Sequence, residues 1–178
     1  MSLVRSFVLH PSILPTGSSA PPVSLTAHDG TWVQLRDHRG RKHVLLAFFD
    51  RTADLGHVKR LDAAAEALDE LDAVAFAVNQ DRPDKLRAVA AEQGLSLPLL
   101  YDVLAWTSRR YHQAGRRPYT RPGVVIIAKD GTIALHTRDP DPLHEVLDTL
   151  RALQGVAADD PIEGENTVID VEWDAAMK

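Results

Sequence analysis

The chain has 178 residues and no cysteine. That absence removes disulfide scaffolds, cysteine-based zinc sites, iron–sulfur clusters and any thiol nucleophile. Membrane-length apolar runs are also missing: the longest, such as Val44–Phe49, are strand-sized. The stretch Met1–Pro15 has one arginine, is broken by Pro11 and Pro15, and lacks the apolar region of an export signal. The expectation is a cytoplasmic protein with no membrane partner. There is no P-loop, dinucleotide fingerprint or G-x-S-x-G elbow, and none of the eight histidines has H-x-x-x-H or HExxH spacing. No metal and no cofactor is expected; a metal site would need ligands converging from distant positions.

Charge of one sign is scarce until the C-terminus. Residues 155–178 hold seven acids and one base, whereas the rest holds 18 acids and 19 bases. The body is near neutral and no basic stripe dominates, which argues against nucleic acid as a partner. The length suits one domain with a full core. Three segments follow: an arm and linker over 1–22, an α/β domain over 23–154, and an acidic tail over 155–178.

Within the domain, Val23–Ala27 and Thr31–Leu35 flank the turn signal His28-Asp29-Gly30 and predict a hairpin. Arg36–Lys42 reads as a charged turn. Val44–Phe49, Ala73–Val78 and Val124–Ile127 are continuous apolar runs, as strands buried on both faces require. Leu61, Ala64, Ala65, Leu68 and Leu71 fall at helical spacing and predict one long helix. Asp81 is placed to cap a second helix with Pro83 in its first turn and Gly94 at its end. A short helix spans Ala105–Ala114. Lys129-Asp130-Gly131 turns into Thr132–Thr137, and a last helix follows Asp141-Pro142. The first helix lies between two strands, so those strands pair in parallel. The result is a mixed sheet with helices on both faces. In the tail, Val168–Trp173 alternates, with Ile169, Val171 and Trp173 on one side and Val168, Asp170 and Glu172 on the other, the pattern of a strand with one apolar face. That face needs cover from this body, a second copy or another protein subunit.

Four motifs in order resemble the AhpC/TSA (peroxiredoxin-like) redoxin family of the thioredoxin fold. They are Ala20-Pro21-Pro22 before the hairpin, His43–Phe49, Leu97-Pro98-Leu99-Leu100-Tyr101-Asp102, and Arg121-Pro122-Gly123 through Lys129-Asp130-Gly131. The resemblance covers roughly residues 18–154. It implies a thioredoxin-like three-layer sandwich: a mixed central sheet, an N-terminal β-hairpin, and here an added acidic tail with one strand. It carries the family label of antioxidant or oxidoreductase. It also implies that Pro122 occupies the place of the fold's cis proline and that Arg121 faces the pocket.

The active-site segment departs from the family. Asp50 stands where the family has proline, Asp54 where it has threonine, and His57 where it has the peroxidatic cysteine. Neither carboxylate nor imidazole replaces a thiolate in a sulfenic-acid or disulfide cycle. The chain therefore reads as a binding or assembly module, with itself or another protein subunit as partner through Ile169, Val171 and Trp173. At the former pocket, Asp54 or Thr52 caps the helix and His57 fills the cysteine's space, neutral beside a helix N-terminus. The alternative is a non-thiol enzyme, or a metal- or anion-binding protein, using Asp54, His57 and Arg121. For Arg121, pairing with Asp54 is preferred to anion binding. Arg109, Arg110, Arg116 and Arg117, with Tyr111, Tyr119 and His112, form a further basic patch that reads first as a solvated face.

Overall fold

The computed structural model describes residues 13–51, 55–114 and 120–155. Thr52, Asp54, Arg116, Arg117, Tyr119 and the tail residues Ile169, Val171 and Trp173 lie outside the described residues.

The expected hairpin is present. β1 (Ser24–Thr26) pairs antiparallel with β2 (Trp32–Gln34). Its turn closes through Asp29 Oδ1, which accepts the Thr31 N–H at 2.9 Å, and Gly30 sits at φ 92°, a conformation that glycine adopts without strain. Leu35–His38 forms a 3-10 turn where the sequence suggested only a charged turn. Then come β3 (His43–Phe48), α1 (Gly56–Ala63), α2 (Ala65–Glu70), β4 (Ala73–Asn79), α3 (Pro83–Gln93) and β5 (Leu99–Tyr101). α4 (Trp106–Arg110), β6 (Gly123–Ile127), β7 (Ile133–Thr137) and α5 (Leu143–Gln154) complete the domain.

Five strands form one mixed sheet in the order β5-β4-β3-β6-β7. β3 pairs in parallel with β4, and β4 with β5, while β6 and β7 run antiparallel. Every residue of β3 is buried, because it is central and covered on both faces. Leu45 and Ala47 join a core with Val58, Leu68, Leu86 and Val146, so α1, α2, α3 and α5 cover that face. Val44, Leu46 and Phe48 point the other way, against Val23 and Val33 of the hairpin region and Tyr111 after α4.

Two local expectations need correction. The predicted long helix is two helices, with Ala64 (φ -92°, ψ 14°) leaving helical geometry between them. The apolar stripe survives the break, since Leu61, Leu68 and Leu71 remain buried on the same core. Asp81 does not cap α3. The capping position is Arg82, which has no side-chain cap, because Pro83 already takes the first helical position. Asp81 instead pairs with Lys85 at 2.8 Å.

Residues 14–20 lie along β7. The Gly17 N–H donates to Ile133 O at 2.8 Å, and the Ala20 N–H donates to Gly131 O at 2.9 Å. The sheet edge is thus partly covered by the chain's own arm. Among the described residues, no helix is long and apolar enough to cross a membrane.

Candidate functional site

The site lies beyond the carboxyl end of β3. The register Phe48↔Gly123 brings Arg121-Pro122, just before β6, alongside Phe49-Asp50. α1 starts nearby and carries His57 in its first turn. The structure therefore gathers Asp50, His57, Arg121 and Pro122 at one end of the sheet.

His57 is buried, with its Nε2 2.8 Å from the carbonyl oxygen of Phe48. A carbonyl only accepts, so Nε2 carries the proton and donates. The ring thus bolts the start of α1 to the end of β3. Asp50 is held in the same way by backbone. Its Oδ1 accepts the Thr120 N–H at 3.2 Å, and its Oδ2 lies 3.3 Å from Arg51 Nε.

Asn79, at the end of β4, organises the loop between these groups. Its Nδ2 donates to Phe49 O and to Asp50 O, both at 2.9 Å, and its Oδ1 accepts the Asp81 N–H at 2.6 Å. Thr120 is buried and accepts a bond from Gln80 Nε2 at 3.1 Å through its hydroxyl. The sequence reading missed Asn79, Gln80 and Thr120. The available signal was a polar pair directly after the apolar run of β4.

Arg121 is exposed, and its backbone N–H donates to Gln113 O at 2.5 Å. All peptide bonds among the described residues are trans, so the bond to Pro122 is not the cis bond implied by the resemblance. The trans isomer is the lower in energy, and here the Thr120 and Arg121 N–H groups both reach acceptors in the approach to β6. Nearby, Arg138 donates to His112 O at 2.8 Å, while its Nε is buried without a partner. Burial first, and then repulsion from Arg121, holds the Arg138 pKa below its ordinary value.

His136 connects this region to the N-terminal arm. The Leu14 N–H donates to its Nδ1 at 2.7 Å, so the ring proton sits on Nε2. The Gln113 side-chain amide stands 2.8 Å from that nitrogen. With the amide nitrogen facing the ring, two donors would meet and Gln113 Oε1 would be buried without a partner. Half a turn of the amide gives the ring its acceptor. Burial pushes the His136 pKa down to about 4, with repulsion from Arg138 and His112 adding to it.

The suggested basic patch is divided. Arg109 and Arg110 are exposed on α4, but Tyr111 is fully buried. Its ring packs on Phe48 with centroids 5.8 Å apart, and its hydroxyl donates to Pro21 O at 2.6 Å. Burial also raises its pKa. Tyr111 therefore belongs to the core and contributes nothing to a surface. Asp102, buried before α4, accepts from the Thr107 and Ser108 N–H groups and from the Ser108 hydroxyl. Beside it, Val103, Leu104 and Trp106 stand 49%, 65% and 59% exposed along a cleft of about 450 Å³. Among the described residues, no group of three or more His, Asp or Glu side chains comes together to hold a metal.

Comparison with known proteins gives a consistent likeness. The profile of the AhpC/TSA family matches residues 16–136. "Putative peroxiredoxin Rv2521" of Mycobacterium tuberculosis (strain H37Rv) is 28% identical over 134 residues, covering 68% of this chain and 83% of that protein. Among solved structures, Plasmodium yoelii thioredoxin peroxidase I superposes with a TM-score of 0.69 at 22% identity, covering 79% of this chain and 91% of that one. Mycobacterium bovis AhpC superposes with a TM-score of 0.70 at 18% identity, covering 86% and 98%.

Proposed function

Since this chain belongs to the AhpC/TSA family and has a thioredoxin-like fold yet carries no cysteine, we propose that it is a binding or assembly module and not a thiol peroxidase. The observation that carries this reading is His57. At the position matching the family's cysteine stands a buried imidazole whose Nε2 is committed to Phe48 O. Peroxide reduction in this family turns on a thiolate that becomes a sulfenic acid, and a ring locked onto backbone supplies neither state.

The surface supports the binding half. The exposed Val103, Leu104 and Trp106 form the kind of apolar group that marks interaction sites. The alternating segment Ile169–Trp173 suits an extended strand laid on a partner. The partner in this reading is a second copy of the chain, with Ile169, Val171 and Trp173 as the contact residues.

The test pairs two measurements on the purified full chain: peroxide consumption with a dithiol reductant, and mass by sedimentation. Consumption at the buffer rate together with a mass above the monomer supports the reading. Turnover above the buffer rate that disappears in His57→Ala would instead assign a non-thiol enzyme.

A further inference from the structure

A second cleft, with three cations among its lining residues, lies at the opposite end of the sheet from the site described above. It has a volume of about 390 Å³ and runs between the β1–β2 hairpin and the main sheet. Val23, Val44 and Ile127 give it an apolar floor, and Arg36, Arg39 and Lys42 stand among its lining residues. No carboxylate is among those lining residues. Lys42 is bonded to Asp69, and Arg36 lies 3.8 Å from Asp37, but both pairs are exposed and exchange partners at little cost.

We propose that this cleft receives the acidic C-terminal segment of a second copy of the chain. The proposal rests on the binding reading above and names the surface that the segment binds. Chemistry matches on both sides. Ile169, Val171 and Trp173 supply the apolar face for the floor, and Asp170, Glu172 and Asp174 supply the carboxylates for the three cations.

The exit point of the chain fits as well. α5 ends at Gln154, whose side-chain amide donates to Leu71 O at 2.9 Å and to Asp72 Oδ2 at 3.3 Å. Asp72 in turn holds Lys129 at 2.8 Å, and Lys129 O accepts the Gly40 N–H at 2.7 Å beside the cleft. The tail thus departs from the same end of the sheet as the cleft. Between Gly155 and Ile169 lie 13 residues. Fully extended they reach roughly 45 Å, more than the width of roughly 40 Å expected for a domain this size. That reach is sufficient to cross to a neighbouring copy. Exchange of identical segments between two copies closes as a symmetric dimer.

The experiment follows the mass of the full chain by sedimentation over a concentration series at low and high salt. Three variants are compared with it: a cleft reversal (Arg36→Glu, Arg39→Glu, Lys42→Glu), a tail reversal (Asp170→Lys, Glu172→Lys, Asp174→Lys) and both together. Each reversal alone should weaken dimerisation by about tenfold or more, the double set should restore it, and salt should weaken the parent. Restoration in the double set excludes misfolding as the cause of the single losses. A dimer that Ile169→Ser, Val171→Ser, Trp173→Ser dissolves but cleft reversal leaves intact overturns the cleft and keeps the binding reading. A dimer untouched by either set overturns the tail as the binding element. A monomer at all concentrations whose Trp173 is nonetheless shielded from a fluorescence quencher overturns the second copy as the tail's source, because the segment then lies on its own chain.

Discussion

His57 Nε2 and the carbonyl oxygen of Phe48 stand 2.8 Å apart in a buried site. A side chain of helix α1 thereby closes a backbone acceptor at the end of strand β3. The bond ties the first turn of α1 to the end of β3.

Removal of that tie should cost stability. His57→Ala leaves Phe48 O without its donor and opens a cavity beside Leu55 and Val58, which are both buried. The expected loss is about 2–4 kcal/mol by denaturant unfolding. A loss below about 0.5 kcal/mol would show that the bond carries no weight in the folded chain.

Tyr111 makes a second tie, from the end of α4 to the arm before β1, through its hydroxyl on Pro21 O at 2.6 Å. Tyr111→Phe keeps the packing on Phe48 and removes only the donor. It should destabilise by about 1–2 kcal/mol and speed hydrogen exchange in residues 17–25. Unchanged exchange there would contradict an anchoring role.

Stability should fall as pH is lowered through the histidine range. The folded chain holds His136 near 4 by burial, whereas a histidine ordinarily titrates near 6.5. Between those values the unfolded chain takes up a proton that the folded chain refuses. The contribution is complete above about pH 6.5 and is lost as pH falls toward about 4, by about 3 kcal/mol in total. His38 and His43 are also lowered, chiefly by burial, and act in the same direction. His136→Gln should flatten this slope in urea unfolding at stepped pH. An equal slope in the variant would place the effect elsewhere.

Much of the fold was legible because its strands are buried on both faces. Continuous apolar runs such as Leu45-Leu46-Ala47-Phe48 leave few alternatives, and Lys129-Asp130-Gly131 marks its turn through Gly131 at φ 89° and the Asp130 bond to the Thr132 N–H. The break at Ala64 was hidden because the stripe continues across it with no proline or glycine at the junction. Tyr111 was read as surface from its basic neighbours, and only the sheet above it shows that it is core.

The site was legible in position and less so in content. The spacing from Phe48-Phe49 located Asp50 and His57, and the β3–β6 register brings Arg121 and Pro122 to the same end. The partners of these residues were not legible. Asn79 and Gln80 stand as a polar pair after an apolar run, but no periodicity says which groups across the fold they bond. The bond between Leu14 and His136 joins residues 122 positions apart, a separation that local pattern does not encode.

The central claim is that this redoxin scaffold works by association through its C-terminal segment. Its most direct test compares the sedimentation mass of the purified full chain with that of a chain ending at Gln154, where α5 is complete. The account predicts a dimer for the full chain and a monomer for the shortened one. A monomer in both, or the same dimer in both, would contradict it.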